Sequence, residues 1–199
     1  SANCKATGIA GDAIPQLKQD DHVRILLHNC SGLGPLSFDR ELNEYSVTDN
    51  LNKLRLFCDS KQVDLVGLTE TNTDWRTVDP ECQMWKMARA WFPASRTIVS
   101  NNQRVPATDH KQWGGTAMLC MQDLCAFENG KLRCRDFRGL GRWSSMSFAG
   151  KMNTTVTFIT AYCPVNNAYG LQSTSTKQRV YINKHLGQHR EEHPDYIPP

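Results

Sequence analysis

Three polar residues stand where three apolar runs end. Asn29 closes "HVRILLHN", Glu70 closes "VDLVGLTE" and Tyr162 closes "TTVTFITAY". A carboxylate at the mouth of an apolar strand can hold Mg²⁺, a hard cation that takes oxygen ligands and keeps most of its waters. An amide beside it can orient that carboxylate, and a phenol can donate to a phosphate oxygen. If the three strands are neighbours in one sheet, their ends converge on one rim. Each residue also has a plainer reading. Glu70 could serve a turn or a helix cap, Asn29 could close an Asx turn before Gly32, and Tyr162 could be a strand-end aromatic with a wet hydroxyl.

Two other groupings have chemistry-bearing residues. His185, His189 and His193 recur every four residues and could share one helix face with zinc-ligand spacing; the alternative is a solvated helix end, weakened by Gly187. Lys131, Arg133, Arg135, Arg138 and Arg142 fall within "KLRCRDFRGLGR". They suit a phosphate-gripping patch, or an edge strand guarded by charge, with Arg133 and Arg135 on one strand face.

The elements that must position these residues follow from periodicity. Val23, Ile25 and Leu27 alternate before Gly32 and Gly34, which predicts a strand and then a turn. Val47, Leu51, Leu54 and Phe57 keep helical spacing, and a buried strand over 63–70 follows. Strand, helix and buried strand make a βαβ unit. Residues 74–94, with Trp75, Trp85, Trp91 and Phe92, read as a loop with a short helix and a largely buried set of aromatics. Further strands are expected at 95–100, 114–121, 124–129, 142–151 and 154–164, with a hairpin turn at "GKMN". A closing helix is expected over 173–193, ended by Pro194. Residues 1–21 read as a loose arm, 22–193 as a single domain and 194–199 as a tail.

Composition bounds the function. The 199 residues are 39% hydrophobic and 22% charged, a globular mixture. A net charge of +3 and a pI near 8.4 fall below the level of a dedicated nucleic-acid binder. No apolar run approaches the roughly 20 residues of a membrane span. The eight cysteines include no C-x-x-C pair, and Cys30, Cys58, Cys120 and Cys163 sit in apolar stretches. They read as reduced thiols, which favours an intracellular compartment; the even count leaves a disulfide framework open, though a chain of this length does not need one.

The pieces "HNCSGLG", "DLVGLTETN", "WGGTAML", "GRWSSMSF" and "FITAYCPVNN", in that order, resemble the endonuclease/exonuclease/phosphatase superfamily. That superfamily includes DNase I, exonuclease III and the apurinic endonucleases; the endonuclease domains of non-LTR retrotransposons look most similar. The likeness covers about residues 22–190. It implies an α/β fold with a mixed β-sheet and flanking helices, half of a four-layer α/β/β/α sandwich. It also implies Mg²⁺-dependent hydrolysis of DNA phosphodiesters and, for a retroelement endonuclease, a nuclear location. By position, Glu70 matches the metal-binding Glu, Asn29 the Asn that supports the metal site, and Tyr162 the Tyr beside the scissile phosphate. Arg142 and the Gly114–Gly115 pair match positions that look structural.

The resemblance also has a gap. Such proteins continue with Gly-Asp-x-Asn and finish with Ser-Asp-His, and neither motif occurs in these 199 residues; "HPDYIPP" at 193–199 is no substitute. Those motifs bring the Asp that aligns water and the His that contacts the phosphate. Their absence implies a truncated endonuclease-like domain with absent or weak turnover, or a non-catalytic scaffold subunit of a larger assembly. It also implies one sheet whose inner face lies bare, so that a protein partner is expected to cover it.

Overall fold

In the computed structural model, residues 18–19, 21–33, 37–42, 44–46, 49–103, 107, 112 and 114–162 are described. The strands and helices in chain order are β1 (Ile25–Asn29), β2 (Ser37–Asp39), β3 (Glu44–Ser46), α1 (Asp49–Ser60), β4 (Leu65–Thr69), α2 (Met84–Trp91), β5 (Ser95–Ser100), β6 (Thr116–Met121), β7 (Cys134–Arg135), β8 (Trp143–Ala149) and β9 (Thr155–Ala161). The expected helix over 173–193, its three histidines and Cys163 lie outside the described residues.

The expected βαβ unit forms. β1 and β4 run parallel, with Asn29 opposite Thr69, and α1 lies between them in sequence. Leu51 and Cys58 of α1 are buried, and Leu54 and Phe57 pack partly buried against the same core, as the spacing requires. The helix ends in a Schellman motif. The Val63 amide donates to the Cys58 carbonyl (2.9 Å), and the Gln62 amide donates to the Asp59 carbonyl (3.1 Å), with Gln62 left-handed at φ 50°. That reversal aims the chain straight into β4.

β4 is central in a sheet ordered β1-β4-β6-β5, and both of its faces are covered. Val66 and Leu68 point to the helices, joining Ala117, Leu119 and Met121 of β6 and Met84, Met87 and Ala88 of α2 in one core. Leu65 points the other way, with Met118 and Cys120 of β6, onto Met146 and Phe148. This second core belongs to a second sheet, β7-β8-β9.

The bare inner face expected from the sequence is therefore corrected. β8 alternates Ser145, Met146, Ser147, Phe148, one apolar face of period two that must be buried. The β8–β9 hairpin buries it by folding back over β4 and β6, so the chain supplies its own second layer. The sheets approach closely at Gly67. A Cβ there would collide with Thr160 Oγ1 and lie 2.9 Å from Leu27 Cδ2. The end strand β1 keeps apolar side chains in the open, with Ile25 44% and Leu27 73% exposed, and the edge strand β9 does the same at Val156 and Ile159.

Three further expectations change. Residues 124–129 do not form a strand: Gln122 at φ 57° turns the chain into a 3-10 turn over Gln122–Ala126. The "GKMN" turn joins β8 to β9 as expected, with Met152 and Asn153 in the left-handed region. Arg133 precedes β7 and its guanidinium is committed. It holds the Glu128 carboxylate at 2.9 and 2.8 Å and donates to the Thr97 carbonyl (3.2 Å), so it acts as a clamp between the sheets. Of the aromatics at 74–94, Trp75 and Phe92 are buried, whereas Trp85 is exposed beside Lys86 and Arg89.

Candidate functional site

The C-terminal ends of β1 and β4 lie side by side, and β6 begins at that same end, with Thr69 opposite Thr116. The turn after β1 is zipped to the loop after β4. Amides of Cys30, Gly32 and Leu33 donate to carbonyls of Thr69, Glu70 and Thr71 at 2.8–2.9 Å. On the other side, Thr71 and Asn72 amides reach the Gly115 and Gly114 carbonyls (3.3 and 2.8 Å), and Asn72 Oδ1 accepts from the Gly114 amide (2.8 Å). Gly114 and Gly115 sit at φ 88° and 83°, and a Cβ on Gly115 would lie 2.5 Å from Thr71 Oγ1. The glycine pair is what lets the loop bearing Glu70 lie against the start of β6.

Tyr162 follows β9 in the second sheet and reaches this rim. Its amide donates to the Arg142 carbonyl (2.7 Å), and its ring lies on Gly114, where a Cβ would stand 3.4 Å from Cε1. The Arg142 amide in turn donates to Asp136 Oδ2 (3.0 Å). Asn29, Glu70 and Tyr162 thus stand along one edge: Asn29 beside the turn at 30–33, Glu70 zipped to that turn, and Tyr162 against Gly114. Asn29 Oδ1 accepts from the Ser31 amide (3.0 Å), the Asx turn of the plainer reading, and the residue is exposed.

Glu70 stands out by its surroundings. Its backbone is left-handed at φ 52°, a conformation it shares with Gln62, Gln122 and Met152 among the longer side chains. It is half-buried, and among the described residues no side chain hydrogen-bonds or ion-pairs with its carboxylate. Its charge is felt next door: the Cys30 thiol is pushed up to about 12, first by burial and then by the Glu70 carboxylate.

The sequence reading missed the clamp beneath this loop. Asp74 is buried and accepts from Arg76 Nε and Nη2 (2.9 and 2.6 Å), from Asn101 Nδ2 (3.1 Å) and from Gln112 Nε2 (3.4 Å). Gln112 also brackets the Asn102 backbone, accepting from its amide (2.6 Å) and donating to its carbonyl (2.7 Å), while its own amide donates to the Asn72 carbonyl (3.1 Å). The signal was local: in "TNTDWR" an acid in a turn is followed two residues later by Arg, a spacing that permits a bidentate pair.

The chemistry open to this rim is that of one free acid among neutral donors and acceptors. Among the described residues no group of three His, Cys, Asp or Glu is gathered to hold a metal by itself. Glu70, with the nearby Asn29 amide, suits a hard cation that keeps its waters and shares ligation with a substrate phosphate, as Mg²⁺ commonly does.

No protein-family profile matches the chain, and no curated protein matches it. Among solved structures it is similar to a variant of the 3′ phosphatase NExo from Neisseria, bound to product DNA hairpin. The identity is 17% and the TM-score 0.46, over 88% of this chain and 54% of that one. The chain therefore spans about half the length of that relative. Among the described residues, no helix is long and apolar enough to cross a membrane.

Proposed function

We propose that residues 22–193 form an endonuclease-like domain of the endonuclease/exonuclease/phosphatase superfamily, of the apurinic and non-LTR retrotransposon type, that binds DNA phosphodiesters at the Asn29–Glu70–Tyr162 rim with Mg²⁺. The carrying observation is Glu70, a half-buried carboxylate with no side-chain partner among the described residues, held by a loop tied on both sides. Strained residues whose surroundings over-determine them concentrate at functional sites. Glu70 would hold the cation, Asn29 would orient the carboxylate, and the Tyr162 hydroxyl would donate to a phosphate oxygen. A bound Mg²⁺ supplies charge neutralisation on the phosphate and a polarised water. The acid–base groups that typically add a factor of about 10² to 10⁴ are missing from the motifs present, so turnover by this stretch is absent or slow.

Two measurements test this reading. DNA retention should require Mg²⁺ and fall at least tenfold in Glu70→Gln; retention indifferent to both overturns the site. A nicking assay on supercoiled and abasic DNA separates binding from hydrolysis: equal rates for wild type and Glu70→Ala remove the hydrolase reading. A second reading, a non-catalytic interaction subunit, draws on the exposed Ile25 and Leu27 of β1. Concentration-dependent association that Leu27→Lys abolishes would favour it.

A further inference from the structure

At the opposite end of β6 from the rim, two thiols face one another. Cys125 Sγ lies 3.5 Å from Cys120 Sγ, and among the described residues no other two thiols are within hydrogen-bonding reach. The two differ in surroundings. Cys120 is fully buried in the core between the sheets, where Cys125 and burial hold its proton in place. Cys125 is half-buried on the 3-10 turn over Gln122–Ala126, a turn with no buried residue. Its thiol is drawn below the ordinary value by the hydrogen bond with Cys120, with the Arg96 charge and backbone adding to the effect. Cys125 Sγ also donates to the Ala94 carbonyl (3.1 Å).

We propose that Cys125 and Cys120 are an oxidation site for hydroperoxides, in which Cys125 is oxidised first and Cys120 resolves it to an intramolecular disulfide. The Cys125 thiol gives its proton to solvent, its sulfur attacks the peroxide and the O–O bond breaks; Cys125 becomes a sulfenic acid, and the departing hydroxide or alkoxide takes up a solvent proton as water or an alcohol. The Cys120 sulfur then attacks Cys125 Sγ, and the S–O bond breaks. Hydroxide leaves with the Cys120 proton as water, and the S–S bond forms. Two thiols are oxidised and one hydroperoxide is reduced. The sulfurs must close from 3.5 Å to about 2.05 Å. A short 3-10 turn whose residues are only partly buried can make that movement, whereas the buried Cys30, Cys58 and Cys82 have neither access nor a sulfur partner among the described residues. The product ties the turn to β6 and withdraws the thiol donor from Ala94.

The sequence gives a clean readout. Cleavage after Lys111 and Lys131 releases one peptide, 112–131, that contains both thiols and no other cysteine. The reduced full chain is treated with one equivalent of hydrogen peroxide near neutral pH, unfolded in iodoacetamide and digested. The expected peptide is unalkylated and lighter by two hydrogen atoms. Recovery of a doubly alkylated peptide, or of Cys125 as sulfinic acid, overturns the proposal. In Cys120→Ser the sulfenic acid should persist on Cys125 and be captured by dimedone, and an uncaptured, fully alkylatable Cys125 also counts against it. The wild-type mapping stands by itself if that variant does not fold.

Discussion

The two ends of β4 treat their acids in opposite ways. Just before the strand, Asp64 is buried with every need met: Lys18 Nζ at 2.5 Å, the Arg24 amide at 2.7 Å, and its own carbonyl accepting from the Met121 amide. Just after it, Glu70 is half-buried with no side-chain partner among the described residues, while four residues on Asp74 is again fully engaged. Asp64 and Asp74 are neutralised within the fold, and this contrast is what the reading of Glu70 as a binding acid draws on. The cost of an unpaired half-buried carboxylate in a left-handed backbone is carried by the loop that enforces it.

Removing each acid in turn should break this contrast in a defined order. Asp64→Ala breaks a pair whose side chains are 19% and 3% exposed and strands the Arg24 amide, so stability to urea should drop by about 3–5 kcal/mol. Asp74→Ala should lose about 2–3 kcal/mol, less because Arg76 is partly exposed and can rehydrate, and Glu70-dependent binding should weaken with it.

Alkali probes the surroundings of Glu70 next. Burial pushes the Cys30 and Cys58 thiols from an ordinary value near 9.0 up to about 12. The native state keeps protons that the unfolded chain gives up, so stability is whole below pH 9. Between pH 9 and 12 it should fall by about 1.4 kcal/mol per pH unit for each thiol. Cys30→Ala should remove one thiol's share of that slope, and an unchanged slope would mean Cys30 is not buried as described. The smallest effect is expected at Glu70: Glu70→Asn should change stability by less than about 1 kcal/mol, or raise it, since Asn tolerates the left-handed region. A loss as large as at Asp64 would make Glu70 a structural acid and end the contrast.

Much of the first layer was legible. Leu51, Leu54 and Phe57 marked α1, the run at 63–69 marked β4, and the end of each run placed Asn29, Glu70 and Tyr162. Local patterns carry that information because burial imposes them residue by residue. The second layer was misread although its signal was present. Met146 and Phe148 alternate with serines, but period two does not say which surface the apolar face will meet. The Asp74 clamp was hidden for a different reason. Its partners Asn101 and Gln112 are 27 and 38 residues away, and hydrogen bonds across such separations leave no periodic trace. The non-strand at 124–129 turned on one backbone angle at Gln122 that side-chain type does not announce.

The loop that presents Glu70 takes its bearings from Asn101, Asn102, Gln112 and Gly114, at the close of β5 and the approach to β6. The acid's position is thus inherited from a distant stretch of chain. Sliding either flank by one residue would leave every group at the rim in place by name while moving the carboxylate. Related sequences that differ in length between positions 103 and 112 would be expected to diverge in cation preference first, and in stability hardly at all.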